Sequence, residues 1–447
     1  MTPGRGNSVL ERLFRLKEQG TDLRTEVLGG ATTFMTMAYI VVVNPAVLSQ
    51  AGLDFGAVMT ATCLSAALAT WVMGFAANYP IAMAPAMGEN FFFVSVVLGM
   101  GVAWPTALAA VLVSGVAFFL LTFLGIREKL IDAVPSSLKH AIAAGIGLFV
   151  AFIGLVNAGL VERPAGGGIL HLGNLARPPV LVAILGLVVT ATLLARKVRG
   201  AILIGMLAAG VVAWGAGLVT WQGLLEPPPS LAPTFLKLDL AGLLDAAVLP
   251  IVLIFLFMAV FDAVGTLIGI GSQGGFLRDG RLPRAKRALL ADASGTVVGS
   301  MLGTSTVTAY IESATGVEAG ARTGLANLVT GGLFLLALFF APLVRMIGGG
   351  VPVEGGAILQ PLTAPALIVV GSLMARSLVQ VAWEDPTESI PAFLVAAGIP
   401  FTWSIADGIA FGFIGYPLLK LLSGRGREAG WLVYVVGALF VARYVFL

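Results

Sequence analysis

Two carboxylates stand in stretches of this chain that are otherwise almost free of charge. Asp262 ends the run Phe255-Leu256-Phe257-Met258-Ala259-Val260-Phe261, and Thr266 follows it at i+4 on the same helix face. Glu312 follows Gly303-Thr304-Ser305-Thr306-Val307-Thr308-Ala309-Tyr310, a β-branched stretch bounded by glycine, and opens the helical-looking Ser313-Ala314-Thr315-Gly316. Carboxylates at such a break can face a ligand while the amides of the helix start offer further donors. A third segment reads Pro85-Ala86-Met87-Gly88-Glu89-Asn90-Phe91. Asn90 both donates and accepts, which suits an amide-like or heteroaromatic edge. Glu89 could join the same site, pair with a base such as Arg322, or sit protonated. Met87 and Phe91 could cover a flat ring, and Ser313 adds a hydroxyl beside Glu312. The chemistry of such a set is hydrogen bonding and the carrying of protons.

Bond-making chemistry finds little support. There is no Walker A loop, no HExxH and no GxSxG, and Gly166-Gly167-Gly168 and Gly348-Gly349-Gly350 lack the strand and lysine of a phosphate loop. One cysteine, Cys63, and two histidines, His140 and His171, leave no ligand set for a metal centre. The chain therefore reads as neither an enzyme nor a metalloprotein.

The elements that must position these residues are membrane helices. Of 447 residues, 58% are hydrophobic and 11% charged, with a mean hydropathy of +0.98. A soluble domain carries about 25% charged residues, so lipid must face much of this chain. Apolar runs lie near 27–50, 57–77, 82–100, 104–124, 138–158, 178–195 and 201–220. A Pro-rich stretch at 221–245 follows, then runs near 247–271, 288–302, 304–320, 324–347, 360–382, 388–402, 403–423 and 430–446. Fourteen of these are expected to span, the last run lying on or partly in the cytoplasmic face or forming a further span. The short spans 388–402 and 403–423 would turn near Pro400.

Basic residues orient the spans. Arg127, Lys129, Lys139, Arg196, Lys197, Arg199 and the basic cluster from Arg278 to Arg287, Arg281 included, mark the inner connections. The outer ones hold only Arg163, Arg177 and Lys237. The N-terminal segment 1–26 is then cytoplasmic. The net charge of +3 follows from this bias and gives no reason to invoke nucleic acid. Seven runs, a polar break and seven more is the pattern of an inverted duplication, with interrupted third and tenth segments marking a transporter's substrate site.

Other polar residues have plainer readings. Asn44-Pro45 is expected to end or kink the first span, and Glu318 and Arg322 to pair at i, i+4. Asp407 reads as a helix-start residue. Asp132, Asp292 and Arg443 are expected to snorkel at span ends.

Together these blocks resemble a known family. Gly20-Thr21-Asp22, Thr32-Thr33-Phe34 through Ala38-Tyr39-Ile40, Asn78-Tyr79-Pro80-Ile81-Ala82, Phe261-Asp262-Ala263-Val264-Gly265-Thr266, Glu312-Ser313-Ala314-Thr315-Gly316 and Ser404-Ile405-Ala406-Asp407-Gly408-Ile409-Ala410-Phe411-Gly412 occur in the family's order. They are similar to the AzgA-like purine permeases, a branch of the nucleobase–cation symporter-2 (nucleobase/ascorbate transporter) family.

The resemblance implies an all-α integral membrane protein of two inverted seven-span repeats. It implies a core domain at 27–124 and 247–347 and a gate domain at 125–246 and 348–447. It further implies proton-coupled import of adenine, guanine or hypoxanthine across the plasma (inner) membrane by movement of core against gate. No cofactor is implied beyond the coupling proton, and a homodimer through the gate is. Asp262, Glu312 and Asn90 match the family's functional positions. The sequence departs from the pattern Ala-Pro-Gly-Met-Gly-Leu-Asn at Ala86, which replaces a glycine, and at Glu89, which replaces an apolar residue.

On this reading Glu312 accepts from ring N–H groups, Asn90 orients the polar edge and Asp262 binds substrate or carries the proton. An ionised side chain at mid-membrane costs from about 2.5 to above 10 kcal/mol, so neutralising the cavity would ease its movement. The competing class is an anion transporter or channel on the same fold.

Overall fold

The computed structural model describes residues 9–125, 134–162, 170–245, 248–278, 282–353 and 358–446. Arg127, Lys129, Asp132, Arg163, Gly166-Gly167-Gly168 and Arg281 lie outside the described residues, as do residues 1–8 of the N-terminal segment and the side chain of Arg443.

The first half runs α1 (Val9–Phe14), α2 (Leu23–Met37), α3 (Ile40–Leu48), α4 (Phe55–Ala77), β1 (Met83–Pro85), α5 (Met87–Met100), α6 (Trp104–Leu124), α7 (Ser136–Asn157), β2 (Val161–Glu162), β3 (His171–Leu172), α8 (Pro178–Ala195) and α9 (Ala201–Gly215). The second runs α10 (Leu249–Gln273), α11 (Ala285–Leu302), β4 (Val307–Ala309), α12 (Ser313–Glu318), α13 (Leu325–Ala337), α14 (Ala341–Gly348), β5 (Val351–Pro352), β6 (Ile358–Leu359), α15 (Ala364–Ala375), α16 (Pro386–Thr402), α17 (Ile405–Leu422) and α18 (Trp431–Phe446). Among the described residues, eight helices are long and apolar enough to cross a membrane, counting α2–α3 and α13–α14 as one each.

Local chemistry sets the boundaries. Asp22 and Asp54 cap α2 and α4, accepting from Thr25 N at 2.8 Å and Ala57 N at 2.7 Å. The first span breaks at Ala38-Tyr39, upstream of the expected Asn44-Pro45. Thr36 Oγ1 donates back to Thr33 O (2.8 Å) and Thr32 O (3.1 Å), the back-bonding that bends helices. Pro45 sits inside α3. The buried Asn44 amide donates to Thr62 Oγ1 (2.7 Å) and Thr304 Oγ1 (2.9 Å), so it joins helices instead of ending one. Trp403, with φ of 54°, turns the chain between α16 and α17, and Ser404 caps α17 through Asp407 N at 3.2 Å. Asp407 is in that first turn, as expected.

Two groups of helices pack closely within themselves. In one, α11 lies against α4 and α6, and α13 against α2 and α4. Gly74 and Gly324 allow the second contact, since a Cβ on Gly324 would fall 2.1 Å from Gly74 O. The other group packs α15 and α16 on α7, α17 on α16, and α8 on α9.

Glu26, in the segment read as cytoplasmic tail, is buried in α2. It accepts from Arg322 N (2.8 Å), Ala326 N (3.2 Å) and Thr323 N (3.3 Å) and so caps the approach to α13. Arg322 spends its guanidinium on Val317 O and Ala321 O, while Glu318 bonds Gln273. The expected Glu318–Arg322 pair therefore does not form; the chain turns between α12 and α13, so the i, i+4 helical spacing is lost.

At the end of α17, the fully buried Lys420 holds Glu428 Oε2 at 2.8 Å and Glu388 Oε1 at 2.9 Å. Arg425 holds Asp385 Oδ2 at 2.7 Å and Glu428 Oε2 at 2.8 Å. This network joins the start of α16 to the entry of α18, which packs along α17. The Thr387 hydroxyl and amide, then Arg425, hold the Asp385 carboxyl down at about 2; Arg425 and then Lys420 hold Glu428 down at about 2. Carboxyls depressed by folding stabilise the native state above their ordinary pKa of about 4 and lose that contribution as the pH falls from there toward 2. The thermal midpoint of detergent-purified protein is expected to drop over that window. Glu428→Gln should have a lower midpoint at pH 7 and a shallower drop in acid.

Candidate functional site

The third and tenth segments stop being helical in the protein interior, where every freed backbone group must find a partner. They find each other. β1 pairs antiparallel with β4 in the register Met83↔Ala309, Ala84↔Thr308, Pro85↔Val307. Ala86 N→Thr306 O (2.8 Å) and Tyr310 N→Ala82 O (2.9 Å) extend the ladder.

Buried side chains satisfy the remaining groups. The Asn327 amide donates to the carbonyls of Ile81 (2.9 Å), Thr70 (3.1 Å) and Tyr79 (3.1 Å). Thr70 Oγ1 accepts from Met83 N at 2.9 Å, and Ser313 Oγ accepts from Ala82 N at 2.9 Å. Asp292 is wholly buried and accepts from Ala309 N (2.9 Å) and Thr308 Oγ1 (3.0 Å). It does not snorkel: α11 is packed on both sides, and the carboxylate turns inward to an unpaired amide of β4.

The strand pair delivers the ends of two helices to one cavity of about 580 Å³. Asp262 and Thr266 reach it from α10, Glu312 from the residue before α12, and Met87 and Glu89 from the first turn of α5. Asp262 lies deep in the protein yet is accessible through the cavity, with the Thr266 hydroxyl as a hydrogen-bond partner. Tyr39, at the break of the first span, donates its hydroxyl to Glu312 Oε1 at 2.8 Å. Phe257 and Phe261 stack with centroids 6.0 Å apart beside Asp262, and Lys139 Nζ lies 5.5 Å over the Phe261 ring. The opposite wall comes from the second helix group: His140 and Ile146 of α7, Val370 and Met374 of α15, and Phe413 of α17. The terminal helix contributes Val436, Leu439 and Phe440.

Five of the expected site residues thus meet at one cavity: Asp262, Glu312, Glu89, Thr266 and Met87. Three stand behind its wall. Asn90 is buried, with its carbonyl bonded by Ser305 Oγ and its amide 3.9 Å from Met87 Sδ. Ser313 holds β1, as above. Phe91 packs edge-on to Phe149, centroids 6.4 Å apart. Tyr39 was missed as a site residue because an aromatic in an apolar run looks like packing. Its one signal was its place in a threonine-rich block that bends the helix.

The arrangement is a cavity lined by acidic, basic, amide and aromatic side chains between two groups of membrane helices. Residues 24–411 match the family described as Permease family. A Methanocaldococcus jannaschii protein named as a permease is 49% identical over 98% of both chains. The adenine permease AdeP of Escherichia coli is 42% identical over 99% of this chain and 97% of its own. The guanine/hypoxanthine permease PbuG of Bacillus subtilis is 43% identical over 98% and 100%. Among solved structures, the transmembrane domain of the cyanobacterial bicarbonate transporter BicA aligns with a TM-score of 0.61 at 15% identity, covering 87% of this chain and 97% of that one. The murine Slc26a9 anion transporter in its inward-facing state aligns with 0.62 at 12% identity, covering 95% and 74%. At such identities these two share the fold.

The protein is thus a multi-pass membrane transporter and not an enzyme. It belongs to the permease family of the nucleobase/ascorbate transporters, within the AzgA-like purine permease branch.

Asp292→Ala would leave the Ala309 amide and the Thr308 hydroxyl without their acceptor in a dry interior, at a cost of about 2–3 kcal/mol. Thermal unfolding of the purified protein should show a clearly lowered midpoint. Asp292→Asn, which keeps an acceptor oxygen, should lose less than half as much.

Proposed function

We propose that the protein imports purine nucleobases together with protons, binding them in the cavity between α10, the two broken segments and α7. The observation that carries this is the convergence of Asp262 and Glu312 on one cavity flanked by Phe257, Phe261 and Met87. Its size is that of a small-molecule site, about 300–1,000 Å³. A purine has N–H donors on its rim and two flat apolar faces. Glu312, with Oε1 engaged by Tyr39, keeps its second oxygen for a ring N–H. Asp262 takes a further N–H or the coupling proton, and the aromatic and Met side chains cover the ring. The relatives named as adenine and guanine/hypoxanthine permeases support this substrate class.

The transport cycle is one of alternating access. The residues 27–124 and 247–347 form the moving core, and 125–246 and 348–447 the gate, in fourteen spans of two inverted repeats with a cytoplasmic N-terminus. The segregated helix packing described above supports this division. So does a second cavity of about 710 Å³, lined by Ser49, Gln50 and Arg345 from the core and Asn157 and Gln360 from the gate. Asn157 ends α7 whereas Lys139 and His140 begin it. The two cavities therefore lie toward opposite ends of α7, separated along it by several turns. Binding a proton with the purine neutralises the acidic wall, which lowers the cost of carrying it past the gate. A gate-mediated dimer would hold the scaffold still while the core moves.

The anion transporters that share the fold suggest the other reading; the carboxyls of Asp262, Glu312 and Glu89 oppose it, with Lys139 and His140 facing them. Uptake into proteoliposomes, with purines, pyrimidines and small anions offered with and without an inward proton gradient, separates the two. Proton-driven uptake of purines is expected. Asp262→Asn and Glu312→Gln should each abolish it while leaving the protein inserted and monodisperse; full activity in both would refute the assignment.

A further inference from the structure

Glu89 is the acidic residue of the cavity that the account above leaves without a task. It is the third residue of α5, is 3% exposed, and lines the cavity with Ala86, Met87 and Gly88. Its Oε1 is buried and has no hydrogen-bond partner among the described residues. The acidic side chains that act on it electrostatically, Asp262 and Asp292, can supply no N–H donor. Asn90, the next residue, lies about 100° further round the helix and is held behind the wall by Ser305 and Met87. The polar group that α5 offers to a solute in this structure is therefore the Glu89 carboxyl.

We propose that Glu89 is a specificity-determining residue that accepts a hydrogen bond from an exocyclic amino group of the purine. The proposal rests on the purine reading above and adds which purines are favoured. Asp262 and Glu312 suffice for the ring N–H groups. A third acceptor, on a different element, matches a ligand with one more N–H on its rim. Adenine, guanine and 2,6-diaminopurine carry such an amino group. Hypoxanthine carries no amino group, so it leaves the Glu89 acceptor without a donor. A site built to hydrogen-bond an N–H discriminates strongly against an analogue without it, because its own buried group stays unpaired.

The test is competition for uptake into proteoliposomes among those three aminopurines and hypoxanthine, with wild type, Glu89→Leu and Glu89→Gln. Wild type is expected to favour the aminopurines over hypoxanthine by about tenfold or more in KM. Glu89→Leu, with an apolar side chain of similar bulk, should bring the four within about threefold of each other by weakening the aminopurines alone. Glu89→Gln retains an acceptor oxygen and should keep most of the preference. A wild type with no preference, or one that favours hypoxanthine, overturns the proposal without reference to any variant. Equal weakening of all four in Glu89→Leu also overturns it, marking Glu89 as structural. Uptake of all four purines with no discrimination leaves the purine reading standing; uptake of none removes both.

Discussion

Broken helices inside a membrane protein are tolerable only if each exposed amide and carbonyl finds a partner there, and this constraint organises the molecule. The two three-residue strands serve each other, and buried side chains from neighbouring helices serve what is left. Asn327 collects three carbonyls of the descent into β1. Thr70 and Ser313 take amides on one strand, and Asp292 takes an amide on the other. Because β1 and β4 come from opposite halves of the chain, neither segment can be formed without the other. The helices that supply the partners are thereby bound into a single body.

The site is a consequence of that frame. A helix that restarts from a strand in the middle of the protein puts its first turn, with free amides, against a cavity. Glu89 and Glu312 occupy these positions on the two restarted segments. Asp262 arrives from the continuous α10 that packs beside them, and Tyr39 from the bend of the first span. The opposite wall belongs to other helices, joined by the close α7–α15 contact at Gly147 and Gly371, where a Cβ on Gly371 would fall 2.3 Å from Gly147 O. The cavity thus has the carboxyls of Asp262, Glu312 and Glu89 on one side, and Val370, Met374 and Phe413 with Lys139 and His140 on the other.

Much of this was legible in the sequence, for definite reasons. The long continuous runs, such as 57–77, 104–124 and 247–271, became helices, since a membrane helix is written in about twenty consecutive residues, whereas 304–320 holds a strand and a six-residue helix. Asp262 and Glu312 stood out because charge is costly in such runs. What escaped was set by partners distant along the chain. Asp292 looked like a span-end charge because its acceptor role depends on an amide of a strand created only by pairing with residues 83–85. Glu26 looked like part of a tail, although it caps a turn some three hundred residues away. Asn44 next to Pro45 suggested a helix end, but its amide is used between helices, and the real break falls where Thr36 bonds back to its own helix. Asn90 and Glu89 are adjacent in sequence, and only the orientation of α5 decides which one faces the cavity.

The most direct measurement is the current evoked by substrate jumps on proteoliposomes adsorbed to a solid-supported membrane. Neutral purines carry no charge themselves, so a transient current on adding adenine, guanine or hypoxanthine reports the coupled cation. The account predicts such currents, of the sign of inward positive charge, that grow with an inward proton gradient and persist without sodium. Silence toward every purine, with currents evoked instead by bicarbonate or chloride, would contradict it.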